Sequence, residues 1–195
     1  MFLSITFDAP VPEKPRNKES LNNDKLSLLA KQLKRLLMTR KLFATENDFA
    51  TTMVRLVLGI VFFAHGAQKM LGWFGGFGFH HTMGFFTQAM HIPAPFAFLA
   101  IAAEFFGGLG LIFGFLTRIA ALGIFSNMLV AIAMVHHNFG IFMNWTGTQK
   151  GEGFEYHLLV IAICALLLIR GAGRASVDRW LAVRTTALAA RQGAQ

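Results

Sequence analysis

Cysteine is nearly absent: the one thiol in 195 residues, Cys164, lies inside an apolar run. That excludes an intrachain disulfide, a CxxC redox pair and a thiolate metal cluster. Charge is scarce as well, at 14% of residues, while 54% are hydrophobic and 21 are phenylalanine. A single soluble core of this length could not hide so much apolar surface, so the composition is that of an integral membrane protein. The acidic residues are few beside the basic ones, giving a formal charge of +8. The basic residues crowd at the two ends of the chain, which points to anionic phospholipid headgroups and away from a nucleic-acid footprint. The opening MFLSITFDAP has no basic flank and too short an apolar run for a secretory signal, so insertion is expected to rely on later segments.

What is present is organised around Arg55 to Gly78, RLVLGIVFFAHGAQKMLGWFGGFG. The stretch is apolar for long enough to enter a bilayer, yet carries His65, Gln68 and Lys69, which hydrocarbon tolerates only when they are paired or face protein. It then breaks into a glycine-aromatic loop containing Gly75 and Gly76. Ahead of it, residues 1–23 hold three of the five prolines and no sustained period, and read as a disordered extension. From Asp24 to Phe43, leucines 26, 29, 33, 36 and 37 fall on one helical face among Lys and Arg, the pattern of a basic amphipathic surface helix, with a linker to about 48.

The all-α membrane domain is expected over 49–172, a four-helix bundle with spans near 53–71, 94–116, 118–136 and 154–170. Thr82 to Met90 reads as a short interfacial helix, followed by Pro93 and Pro95 at the start of the second span. The turn at Thr117 and Arg118 is so short that spans two and three form a hairpin. Residues 173–195 read as a basic tail. Nine basic residues precede the first span, Arg118 sits in the central turn, and Arg170, Arg174, Arg179, Arg184 and Arg191 follow the last. The other side has Lys69 at its margin and Lys150. By the positive-inside rule both termini are cytoplasmic.

Depth then ranks the polar groups. Glu104 lies ~15 Å into the second span, near the midplane, where a carboxylate must be protonated or paired. His65, Lys69, Glu104, His136, Glu155 and His157 all belong to the outer half and can converge on one cavity between helices, with Asn127 able to join them. Each also has a plainer role. Glu104 with Lys69 or Arg55 can be a structural ion pair fixing helix register, and Arg55 and Arg118 are structural charges. Histidines near an interface need only water or headgroups. Gly66, Gly107, Gly108, Gly110 and Gly114 read as close helix packing, the last two in GxxxG spacing. No metal-binding motif is visible.

HGAQKMLGWFGGFG, FF at 85–86, PAPFAFLAIAAEFFGGLGLIFGFLTRIAAL, VHH at 135–137 and GFEYHLLV at 153–160 follow in an order and spacing that closely resembles the DoxX family of small bacterial membrane proteins, over roughly Leu42 to Leu181. The resemblance implies four helices in the inner (plasma) membrane with cytoplasmic termini. It also implies a shared site at the matched positions, which include His65, Lys69, Glu104, Thr117, His136, Glu155 and Tyr156. The family's name-giving members are a subunit of a thiosulfate:quinone oxidoreductase, and the resemblance does not transfer that activity. Two functions compete. In one, the protein is a quinone-interacting or accessory subunit of a membrane oxidoreductase system, with Glu104 and a His or Lys binding and protonating the quinone head. In the other it is a non-catalytic scaffold that docks partner proteins through its basic ends. Haem held by His65 and His136 is a third, weaker expectation, and the partners to expect are lipid, an oxidoreductase subunit or a second copy of the chain.

Overall fold

The computed structural model describes residues 18–192, and among them every regular element is helical. The chain divides into two compact units, residues 1–39 and 40–195. Helix α1 runs Lys18–Phe43. Positions 18–23, expected in the disordered extension, are its first turns, because no proline or glycine follows Pro15 until well past the helix; residues 1–17 lie outside the described residues. Leu26, Leu29 and Leu33, which share a face, are all exposed.

The second unit opens with α2, Phe49–Leu71, started by Asp48. The Asp48 carboxylate accepts from Ala50 N, Thr51 N and the Thr51 hydroxyl at 3.1, 3.0 and 2.6 Å, answering donors that the first helical turn leaves free. Then come α3, Gly78–Gly84, which continues through a π-helical turn at Phe85–Ala89, α4, Ala94–Phe113, α5, Thr117–Met134, α6, Glu155–Arg170, and α7, Val177–Gln192. The short helix thus starts four residues before the expected Thr82. Three of these helices, α2, α4 and α5, are long and apolar enough to cross a membrane. The fourth, α6, has 16 residues.

Helix α2 packs most extensively on α4, α4 on α5, α5 on α6, and α6 returns to α2. Glycines set the α2–α4 distance. A Cβ built at Gly66 would fall on the backbone of Phe105, and one at Gly108 on the backbone of Phe63, so the two helices run antiparallel with their main chains nearly touching. Phe62, Leu111, Ile124, Val160, Cys164 and Leu167 fill the middle. Outward, Val57, Ile60, Leu99, Phe106, Leu122, Leu129 and Leu159 are exposed, whereas Arg55, Glu104, Thr117 and His157 are buried. Apolar side chains outside and polar ones inside is the pattern that suits hydrocarbon as the solvent.

The bundle has two unlike ends. At the terminal end, Arg55 is 1% exposed and donates to the carbonyls of Leu111 and Ile112 at 2.5 and 3.2 Å and of Ala175 at 2.6 Å. Asp178, 2% exposed, accepts from Leu116 N and Thr117 N at 2.8 and 2.9 Å, capping α5 across the chain. Residues 173–178, expected as the start of the basic tail, are therefore bound into the bundle, and the rest of that tail is largely α7. Arg118 donates to the carbonyls of Ala44 and Ile169, both at 3.0 Å. Gly114, expected to form GxxxG packing with Gly110, instead ends α4 at φ +64° with the Arg55 guanidinium and Ser176 against its Cα. A glycine in that left-handed conformation stops the helix, so it cannot contribute to a helix face. A Cβ at Gly110 would meet the Phe115 carbonyl, so that glycine too serves the turn.

Two outcomes follow. Asp178→Ala strips two buried amides of their acceptor and should lower unfolding stability in detergent by about 2 kcal/mol, read by thermal or denaturant melts. The Thr51 hydroxyl, then the Thr51 amide, hold Asp48 below the usual carboxylate pKa, with Ala50 and Arg170 adding to the effect. Its contribution is thus present above the ordinary Asp range and disappears as pH falls through the lowered folded value. Melts of the wild type and Asp48→Asn should differ by a constant gap at neutral pH that closes only in strong acid.

Candidate functional site

The loop end, where α2 and α5 finish and α4 and α6 begin, carries the other polar group of residues. Lys69, in the last turn of α2, reaches across to pair with the carboxylate of Glu104 on α4. The other carboxylate oxygen accepts from Asn127 Nδ2 of α5 at 2.9 Å. Glu104 is 6% exposed, so three helices meet on one desolvated carboxylate, and both its oxygens are answered. Phe63, Phe105 and Trp73 form an aromatic wall on the same two helices and the loop after α2, with ring centroids 5.6 Å (Phe63–Phe105) and 6.5 Å (Phe63–Trp73) apart. The loop folds back on α2: Gln68 Nε2 donates to the Phe74 carbonyl at 3.2 Å, and a Cβ at Gly76 would strike the Gln68 backbone.

Beside this pair stands Tyr156, in the first turn of α6. Its hydroxyl is buried with no hydrogen-bond partner, near enough to Glu104 and Cys164 to interact with both electrostatically. The next residue, His157, is 7% exposed, and its Nδ1 is also buried without a partner. Its ring lies edge-on to Tyr156 at 5.6 Å and 4.1 Å from the ring of His136. His136 Nδ1 is 2.8 Å from the Glu152 carbonyl, which can only accept, so that nitrogen carries the proton.

The six side chains expected to converge therefore divide. Lys69 and Glu104 meet. His136 and His157 form a second pair, joined to the first through Tyr156. Glu155 turns to the loop, accepting from Met143 N at 3.0 Å and Trp145 Nε1 at 3.2 Å, and so orders residues 143–145 instead of joining Glu104. His65 is exposed, with its ring 6.4 Å from that of Phe62. Four residues advance a helix by about 40° beyond a full turn, and the long Lys69 chain can bend back inward where the short His65 cannot. His65 and His136 thus do not form a facing pair of the kind a haem needs. Among the described residues no three His, Cys, Asp or Glu side chains gather as metal ligands.

Tyr156 enters the sequence reading as a matched position of the family resemblance, and Asn127 as a residue able to join the cluster. The hairpin register could have promoted Asn127: Gly107 lies against Ile124, so the position opposite Glu104 is one turn further along α5.

The model of the DoxX family matches residues 50–137, from the start of α2 to the close of α5. The inner membrane protein YqjF of Escherichia coli strain K12 is 32% identical over 135 residues, covering 69% of this chain and 94% of that protein. "Putative oxidoreductase CatD" of Bacillus subtilis strain 168 is 33% identical over 72 residues, 37% of this chain and 48% of that one. No solved structure matches this chain. The chain belongs to the DoxX family and is a multi-pass membrane protein.

Removing one partner of a buried ion pair costs more than removing both, because a lone charge stays in a medium that solvates it poorly. Lys69→Ala should destabilise the protein by about 3 kcal/mol, and adding Glu104→Gln should restore part of that loss. Melts of the two single variants and the double variant in detergent measure the coupling, and independent losses would mean the pair contributes nothing as a pair.

Proposed function

We propose that the protein is a quinone-interacting, accessory membrane subunit of an oxidoreductase system, with the quinone head received at the loop end beside Glu104. The reading is carried by the unpartnered Tyr156 hydroxyl. A buried donor without an acceptor is costly, and because the Glu104 carboxylate is already occupied by Lys69 and Asn127, a bound ligand is a natural source of the acceptor this hydroxyl lacks. A quinone carbonyl oxygen is such an acceptor, and the Phe63–Phe105–Trp73 wall suits its ring and tail. When bound, a quinone supplies the two-electron chemistry that this chain, with one buried cysteine, cannot. Tyr156 orients a carbonyl, and Glu104 with Lys69 holds a proton in reach of the head. The redox partner is a separate protein in this reading, and the similarity to a protein named as a putative oxidoreductase supports the association with oxidoreductase chemistry.

The same proposal places the chain in four passes. At 1.5 Å per residue, α6 is about 24 Å long, and flanking residues complete the span. With both termini in the cytoplasm, the Arg55–Asp178 end faces inward, the Glu104 pocket lies beneath the outer face, and the Lys and Arg of α1 meet anionic phospholipid.

Tyr156→Phe tests this cleanly, since the hydroxyl it removes has no partner whose loss would destabilise the fold. Titration of the purified protein in lipid nanodiscs with a water-soluble quinone analogue should show binding that weakens about tenfold in the variant, with melting unchanged. A wild-type protein that binds no quinone would refute the reading.

A further inference from the structure

We infer that His136 and His157 are the passage by which protons of the Glu104 pocket exchange with water, and that exchange occurs at the loop end alone. The inference rests on the buried polar group around Glu104 described above for its location, and not on what binds there.

Four groups stand in sequence from the loop inward. His136 is half-buried and tied at Nδ1 to the Glu152 carbonyl of the loop, which leaves its Nε2 as the free basic nitrogen. His157 lies against it with the rings tilted and is buried. Tyr156 stands edge-on to His157, and Glu104 acts electrostatically on the Tyr156 hydroxyl. The two groups in the middle of this row are the ones whose polar atoms are buried without partners, Tyr156 Oη and His157 Nδ1. Structural histidines and tyrosines in an apolar bundle are hydrogen-bonded. Consecutive unsatisfied ones, between a loop and a buried carboxylate, fit groups that take and give protons by turns.

The other carboxylates nearby are already engaged. Glu155 holds the Met143 amide and Trp145, and Glu152 holds the Asn144 amide at 2.7 Å. Lys69 is committed to Glu104. The histidine pair is thus the free titratable element between loop and pocket among the described residues. At a centroid separation of 4.1 Å a modest ring turn brings nitrogen toward nitrogen. A proton released in the pocket adds to neutral His157, one proton passes from it to the free nitrogen of His136, and one leaves His136 for loop water. One proton leaves for each that enters, and no electron moves.

Among the described residues nothing comparable leads the other way. Below Glu104, Phe62, Leu111, Ile124, Cys164 and Leu167 are all at most 1% exposed, a packed layer whose one exchangeable side-chain proton is that of the Cys164 thiol. Beyond it lies the buried Arg55 guanidinium, whose charge repels an approaching proton.

The composition supplies two reporters. Tyr156 is the sole tyrosine and Cys164 the sole cysteine, so the O–D shift of the tyrosine ring bands and the S–H stretch can each be assigned without labelling. They sit about 12 Å apart along α6, one on either side of the apolar layer's upper edge. Infrared spectra of the full chain in lipid nanodiscs, free of quinone, are followed after transfer to D2O. Tyr156 should exchange well before Cys164, and both His157→Phe and His136→Gln should slow the tyrosine about tenfold or more while Cys164 stays protected. Tyrosine exchange at the wild-type rate in both variants would overturn the inference, as would a Cys164 that exchanges as fast as Tyr156 in the wild type. Because no quinone is present, a failure to bind quinone leaves this result standing, and an unchanged exchange rate leaves quinone binding standing.

Discussion

A carboxylate buried between helices governs the loop-end half of this bundle. Glu104 cannot stay ionised there unless its charge is answered, and the answer comes from two neighbouring helices at once, Lys69 of α2 and Asn127 of α5. That requirement fixes how far α2 and α5 are rotated about their axes relative to α4. It also needs the helices to be close. Gly66 and Gly108 let the backbones of α2 and α4 approach until no side chain could fit between them, which brings the Lys69 ammonium within reach of the carboxylate.

The opposite end solves a similar problem in a different way. Arg55 is as buried as Glu104, but its ligands are backbone carbonyls at the end of α4 and before α7, with Asp178 as the nearby counter-charge. Asp178 in turn caps α5. The guanidinium and the carboxylate therefore satisfy helix termini that hydrocarbon would leave bare, and they close the end of the bundle. Between the ends lies an apolar layer. Among the described residues the terminal end is thus closed by Arg55 and Asp178, and the loop end holds the Lys69–Glu104 pair with the unpartnered Tyr156 and His157.

The loop itself is shaped by the same carboxylate logic on the wet side. Glu152 and Glu155 accept from the amides of Asn144 and Met143, and from the Trp145 indole, so the segment between α5 and α6 is held over the histidine pair by side chains instead of by regular structure. His136, fixed to the Glu152 carbonyl, is part of that loop as much as of the pocket.

The helical segments were legible in the chain because apolar runs of spanning length have few alternatives: a backbone without water must bond to itself. A hairpin between the second and third spans, the burial of Glu104 and its need for a cation followed from the same reasoning, although the turn lies at 114–116, ahead of the expected Thr117 and Arg118. Composition and run length do not determine rotation about each helix axis, and that is where the expectations parted from the structure. His65 and Lys69 share a nominal face but point to different media, Glu155 serves the loop, and Gly114 ends a helix instead of packing one. Tyr156, Asn127 and Asp178 gained their roles only when residues far apart in the chain were brought together, Asp178 sixty-one positions from the amide it caps. The sequence by itself determined the solvent this protein is built for and the segments that meet it, since both depend on local apolar content. Only the tertiary structure decided which polar groups find one another, because a partner across a helix interface is chosen by distance and direction, which no stretch of one helix contains.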